Sequence, residues 1–156
     1  MKYIAIIRIA GQVGVKKSIK DTLAMLKLYK KHTCVIVPNN ASYLGMLKKV
    51  KEYVTWGEIN ESTFKELLLK RGKLHAKKSL NIEYLKENTD LDIDTFVKKF
   101  FSGEMKLLDV PGLKPFFKLS PPVKGFERGG TKKPYSMGGV LGYRKEKIND
   151  LIKRML

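Results

Sequence analysis

The first 60 residues alternate between two hydrophobic periods, which leaves few folds open. Tyr3-Ile4-Ala5-Ile6-Ile7-Arg8-Ile9 is short and rich in isoleucine, which suits a strand with one face fully buried. Gly11-Gln12-Val13-Gly14 breaks the run. Ser18 then offers an N-cap, with Asp21 three residues on as an acidic partner in the first turn. Ile19, Leu23 and Leu26 follow at helical spacing and predict an amphipathic helix over residues 17–30. Thr33-Cys34-Val35-Ile36-Val37 reads as a second strand, ended by Pro38-Asn39-Asn40. A second helix is predicted over residues 41–53, burying Leu44, Leu47 and Val50, with Lys48, Lys49 and Lys51 on its other face. Thr55-Trp56-Gly57-Glu58-Ile59 closes the unit as a third strand. The order is β-α-β-α-β.

Past residue 60 the pattern loosens. Ser62 or Thr63 can cap a helix through Leu67, Leu68 and Lys70, with Gly72 as its stop. Asp90, Asp92 and Asp94 precede a helix over residues 95–102, in which Phe96, Val97, Phe100 and Phe101 are available for burial. Carboxylates at a helix start suit its dipole. As a metal site the cluster is poorly formed, lacking the glycine and distal glutamate of a calcium loop. Prolines at 111, 115, 121 and 122 then punctuate an extended stretch holding Phe116 and Phe117. The segment from Lys124 to Lys133, followed by Gly138-Gly139 and Gly142, is glycine-rich and basic, with too few apolar residues to fold by itself. Ile148, Leu151, Ile152 and Met155 predict a final helix over residues 145–155 that ties the chain end back to the body.

Charge separates these regions. The chain of 156 residues has 32 Lys+Arg, 15 Asp+Glu and a formal net charge of +17. Residues 1–60 hold +8, residues 61–112 only +1, and residues 113–156 again +8. Self-repulsion of this size argues against an ordinary metabolic enzyme working on small neutral substrates and for a polyanionic partner. Lysine and arginine neutralise phosphates, and glycines let a backbone approach a nucleic acid closely. Phe126, Tyr135 and Tyr143, interleaved with the second block, could stack on unpaired bases or simply anchor the loop. The distribution reads as two basic patches held apart by a neutral spacer.

Other classes have little support. The apolar run Tyr3 to Ile7 is too short for a signal-peptide core or a membrane span. Cys34 is the only cysteine, so an intrachain disulfide and a cysteine metal cluster are excluded. It reads as a small core residue, and a cysteine-poor chain without an export signal reads as cytosolic. His32, beside Lys31, reads as a solvated residue at a strand edge. The strongest enzymatic alternative is the turn from Gly11 to Ser18, where a strand, a glycine turn and a helix start make a natural phosphate site for an RNA-modifying or RNA-processing enzyme. The spacing matches neither the dinucleotide fingerprint nor the P-loop, and the same geometry fits an RNA phosphate.

These residues resemble a known family. The β-α-β-α-β unit with Lys16-Lys17-Ser18-Ile19 opening its first helix is similar to the core of the universal large-subunit ribosomal proteins called L-thirty, whose eukaryotic relatives are called L-seven. Bacterial members resemble only the first 60 residues. The remainder resembles the archaeal and eukaryotic extension, through Val54-Thr55-Trp56-Gly57, Phe64-Lys65-Glu66-Leu67-Leu68-Leu69-Lys70-Arg71-Gly72, Pro115-Phe116-Phe117-Lys118-Leu119-Ser120-Pro121-Pro122, and Ile148-Asn149-Asp150-Leu151-Ile152. Eukaryotic relatives carry a long basic arm before the first strand. This chain starts at Lys2-Tyr3, so an archaeal-type member is expected.

The resemblance implies an α+β fold: a ferredoxin-like three-stranded sheet backed by two helices over residues 1–60, then a mostly helical, glycine-rich extension over 61–156. Within that extension the expected elements are helices 62–72 and 92–103, a basic loop 124–143 and a helix 145–155. It also implies a non-catalytic, cytoplasmic protein of the large subunit, without cofactor, membrane or small-molecule substrate. The implied partners are large-subunit rRNA, on the side near 5S rRNA, and neighbouring ribosomal proteins. Charge and resemblance together nominate Lys16, Lys17, Ser18 and Lys20 at the first helix start and Lys48, Lys49 and Lys51 on the second helix as RNA contacts. Thr55 and Trp56 join them from the third strand, with Lys70, Arg71, Lys73, Lys77 and Lys78 from the middle segment. The C-terminal block contributes Lys118, Lys124, Arg128, Gly129, Gly130, Lys132, Lys133 and Arg144, its loop ordering only on RNA.

Overall fold

In the computed structural model, which describes residues 2–156, every residue of the first strand, β1 (Tyr3–Arg8), is buried. The isoleucine run is therefore covered on both faces, not one. Its neighbours are β2 (Thr33–Pro38) and β3 (Val54–Glu58), each antiparallel to it. Two further strands of two residues each widen the sheet. β4 (Phe117–Lys118) pairs antiparallel with β2, and β5 (Gly142–Tyr143) pairs parallel with β3. The order is β4-β2-β1-β3-β5, so the sheet has five strands where three were expected. The added edges come from the C-terminal third, where a two-residue strand leaves no periodic signal to read.

Two helices cover one face. Helices α1 (Lys17–Met25) and α2 (Ala41–Val50) bury Leu23, Leu47 and Val50 against Ile4, Ile6, Val35, Val37 and Val54. The opposite face is covered as well, by α3 (Glu61–Arg71), α5 (Ile93–Ser102) and α6 (Ile148–Met155). There Phe64, Leu68, Phe96, Phe100, Leu151 and Ile152 meet Ala5, Ile7, Cys34 and Ile36. Tyr3 and Phe64 each stack on Phe100 at 4.4 Å between ring centroids. Cys34 is fully buried there and burial pushes its thiol far up, as a core residue requires. The architecture is thus a mixed α+β sandwich with the sheet as its middle layer.

Local chemistry explains where the elements stop. Helix α1 ends at Met25, five residues before the expected limit, because Lys27 turns left-handed at φ 61°. The N–H of Leu28 donates to Leu23 O and that of Lys27 to Ala24 O, with buried Leu28 and Leu23 closing the motif. A non-glycine residue at that position gives no sequence warning. At the other end Lys16 is the N-cap and makes no side-chain cap bond, so Ser18 lies inside the helix and Asp21 is beyond the first turn. Helix α3 is capped by Asn60, whose side chain accepts from the Thr63 N–H, not by Ser62 or Thr63. A helix absent from the sequence reading, α4 (Ile82–Thr89), buries only Leu85 and leaves Ile82 exposed.

The last helix is locked to the β3–α3 corner by one side chain. Asn149 Oδ1 accepts from the Asn60 N–H, while its Nδ2 donates to Glu58 O and Glu146 O. Gly57 permits that approach, since a Cβ there would lie 1.9 Å from the Lys145 carbonyl oxygen. Asp92 and Asp94 pair with Lys86 and Lys65 at 3.1 and 2.6 Å, consistent with a surface and helix-start role.

Candidate nucleic-acid interface

The sheet register carries much of both basic blocks to the same end of the molecule. β1 finishes at Arg8 opposite Val54, the first residue of β3, and Ile7 faces Cys34 near the start of β2. Helix α2 therefore returns to this end, and the N–H groups of Ile9 and Ala10 both donate to Tyr53 O just beyond it. Lys48, Lys49 and Lys51 lie there, all exposed. Lys20 shares a small cleft with Arg8, Gln12 and Tyr29, and Lys16 and Lys17 precede it at the exposed start of α1. Arg8 itself is interior. Its guanidinium donates to the carbonyls of Leu28, Ala10 and Gly11 and so holds the loop that presents those lysines.

The C-terminal block arrives from the other side. Thr33 pairs with Lys118, and the Leu119 N–H donates to His32 O. Ser120 N–H donates to Met155 O, and Arg71 Nη2 donates to Ser120 Oγ at 2.8 Å, so the ends of α6 and α3 also lie here. Lys70 is exposed beside Arg71. Exposed Lys73, Lys77 and Lys78 sit on a bridged loop held against the 112–114 segment, where His75 N–H donates to Gly112 O and Lys114 N–H to Lys73 O. Because β5 runs parallel to β3 and begins opposite Thr55, the glycine-rich loop that precedes it also ends here. Lys124, Arg128, Lys132 and Lys133 are exposed on it. Much of the two patches, separate in the sequence, thus converges on one end of the sandwich, while Lys2, Lys145, Lys147 and Lys153 stand near the other.

Two nominated residues face inward. Thr55 is fully buried and donates its hydroxyl to Gly142 O. Arg144 is 2% exposed and cannot reach an RNA backbone. Its Nε donates to Thr55 Oγ1 at 2.9 Å, Nη1 to Glu127 Oε1 at 2.8 Å and Nη2 to Val140 O at 2.7 Å. The same guanidinium lies 4.8 Å above the Tyr135 ring. Glu127 also accepts from Arg154 Nη2 at 3.5 Å. Burial alone pushes the Glu127 carboxyl up, but the bonds and charge of Arg144, with Arg154, hold it below the usual carboxylate range.

This clasp changes the reading of the loop. The segment is internally bonded in the chain alone: Gly129 N–H donates to Gly138 O, Gly139 N–H to Pro134 O and Val140 N–H to Lys133 O. Gly129 is required by contact, since a Cβ there would lie 2.4 Å from Gly138 O. Gly129 and Gly130 are half-buried in that crossing. Phe126 stacks on His32 at 6.0 Å, so His32 is a half-buried floor for the loop, not a solvated edge. Burial, aided by Lys31, lowers the His32 pKa. What the loop lacks in apolar content it gains from one buried ion pair, contributed by residues 17 positions apart.

Trp56 is half-buried, in a tilted contact with Tyr143 at 6.4 Å. Ser18 is exposed beside Lys17. Lys30 and Lys31 are exposed near the same end, just before β2, yet no motif in the sequence singles them out. Among the described residues no group of three or more His, Cys, Asp or Glu side chains could hold a metal ion, and no helix is long and apolar enough to cross a membrane. The surface is suited to phosphates: many exposed cations on a rigid end, presented by helix ends and a clasped loop.

Known proteins are similar to this sequence. A family model described as "Ribosomal protein L30p/L7e" matches residues 4–54. Over 152 residues the chain is 50% identical to the large ribosomal subunit protein uL30 of Methanococcus vannielii, covering 97% of this chain and 98% of that protein. It is 50% identical over 147 residues to the uL30 of Methanopyrus kandleri, covering 94% and 99%. With the uL30 of Nanoarchaeum equitans it shares 46% identity over 156 residues and the full length of both.

Proposed function

Since the chain belongs to the L30p/L7e family of ribosomal proteins, we propose that it is a structural, non-catalytic constituent of the large ribosomal subunit in the cytoplasm. It binds folded large-subunit rRNA through phosphate and shape recognition and packs beside neighbouring ribosomal proteins. The observation that supports this reading most directly is the convergence of the two basic blocks on one end of the sandwich. Lys16, Lys17, Lys20, Lys48, Lys49 and Lys51 contact one side of the bound RNA. Lys70, Arg71, Lys73, Lys77, Lys78, Lys118, Lys124, Arg128, Lys132 and Lys133 contact the other, with Ser18, Trp56, Gly129 and Gly130 at close backbone approaches. Residues 1–60 act as a ferredoxin-like RNA-binding core and residues 61–156 as the extension that enlarges the contact. The bound region lies on the side of the subunit near 5S rRNA.

Sedimentation of large subunits tests the role. The chain is expected at about one copy per subunit through moderate salt washing, and a substoichiometric, easily washed chain would contradict it. For the isolated protein, affinity for large-subunit rRNA should fall steeply with salt, log K dropping by about 0.7–0.9 per neutralised phosphate by analogy with DNA.

A further inference from the structure

Away from the basic end lies a cleft of about 900 Å³ that the sequence does not announce. It opens on the β3–β5 side, between the start of β1 and the turn that leads into α6. Tyr143 forms part of its wall and is 46% exposed, a large aromatic surface left open on β5. Tyr135 and Ser136, from the tip of the glycine-rich loop, line it opposite. Lys2, Lys145 and Lys147 stand at its rim, all exposed and with no carboxylate within ion-pair distance among the described residues. Arg144 also borders the cleft, but its charge is already matched by Glu127.

The polar group on the wall is unusual. Glu58 Oε1 accepts the Tyr143 hydroxyl, whereas Glu58 Oε2 is buried with no hydrogen-bond partner. Glu58 thereby fixes the Tyr143 ring on the cleft wall, with its second oxygen enclosed behind the surface. An exposed ring face flanked by three rim cations is the chemistry of a nucleotide, base face and phosphate respectively. A basic protein tail would bring like charge to Lys2, Lys145 and Lys147, and an acidic peptide would use the cations but leave Glu58 and Glu146 facing its carboxylates.

We propose that this cleft receives an unpaired nucleotide extruded from the bound rRNA, with its base on Tyr143 and its phosphate at Lys2, Lys145 and Lys147. The site rests on the RNA-binding role proposed above and adds a pocket that recognises a single base to a surface that otherwise reads phosphates. Stacking of a single base is small beside many phosphate contacts, so it fixes register more than it supplies affinity.

The test uses large subunits assembled with the full chain carrying the photocrosslinker p-benzoylphenylalanine in place of Ser136. The expected result is one crosslink to an unpaired rRNA nucleotide. A crosslink to a neighbouring protein, or none from a chain that has entered the subunit, overturns the pocket while leaving the ribosomal role intact. A chain that fails to enter, while the unmodified chain enters, is replaced in the test by Tyr143→Ala. In subunits carrying that variant, chemical probing should show a severalfold rise in reactivity at one unpaired nucleotide with the remaining footprint unchanged. An unaltered reactivity profile overturns the proposal. If the unmodified chain does not enter subunits at all, the ribosomal role itself fails and the pocket with it.

Discussion

Arg144 and Glu127 form the ion pair that fastens the glycine-rich loop to the sheet, 2.8 Å between Nη1 and Oε1, with the arginine side chain 1% and the glutamate 23% exposed. A cation that the sequence offered as a contact for RNA is used inside the protein. The basic loop owes its place to this pair, to Arg154 Nη1 donating to Gly125 O and to the Phe126–His32 stack.

Glu127→Ala leaves a buried guanidinium without its carboxylate, the costly half of breaking such a pair. The expected loss is about 3 kcal/mol, read as a lower urea midpoint, with new proteolytic cleavage between Lys124 and Lys133. Unchanged stability together with an uncut loop would show that the clasp is not what holds it.

Acid should open the same clasp. The folded-state pKa of Glu127 is depressed, so its contribution is fully present above the unfolded carboxylate value of about 4.3 and is lost as pH falls through the lower folded value. Protection factors at Gly129 and Val140, which remove the intrinsic slowing of exchange by acid, should therefore be high at neutral pH and drop below about pH 4. In Glu127→Gln, exchange at those amides should lose the part of the pH dependence due to this group. An equal acid response in both proteins would assign the effect to other carboxylates.

Much of the central unit was legible because its apolar periods are unambiguous. Ile4, Ile6 and Val35 at strand spacing, and Leu23, Leu47 and Val50 at helical spacing, mark elements that the structure contains. What escaped is what depends on distant partners. Nothing local says that Phe117 and Gly142 extend a sheet begun 80 or more residues earlier. Helix α4 was missed because Leu85 is its only buried residue. Arg144 looks like Lys133 in a charge count, and only the carboxylate of Glu127 and the hydroxyl of Thr55 separate an internal brace from a surface cation. The charge tally set how much positive charge the chain carries, but the strand register decided that much of it gathers at one end.

The corner between β3 and α6 gives a third prediction. Gly57→Ala puts a methyl group 1.9 Å from Lys145 O and 3.0 Å from Ile148 side-chain carbons, with backbone on one side and a core residue on the other. Destabilisation of about 1–3 kcal/mol is expected from overpacking, measured by thermal or urea unfolding. A neutral substitution would mean that α6 can slide from the sheet at little cost.

Surface and interior cations should separate in a salt titration. Replacing Lys16 and Lys17 together by Ala should lower the slope of log K against log salt by about two, roughly one for each phosphate no longer neutralised. Arg144→Met should leave that slope where it is, under conditions where the variant remains folded, and lower stability instead. A reversed pattern would return Arg144 to the RNA-binding surface and remove the first helix start from it.

The most direct measurement is crosslink mapping on intact large subunits, because it asks whether the two basic blocks hold one piece of RNA. Crosslinks from Lys16–Lys20 and Lys48–Lys51 should fall on rRNA segments that adjoin, in the folded subunit, those reached from Lys70, Lys118 and the Lys124–Lys133 loop. Crosslinks from the two blocks to rRNA segments that do not adjoin, or a free and uncrosslinked basic end, would contradict the convergent interface.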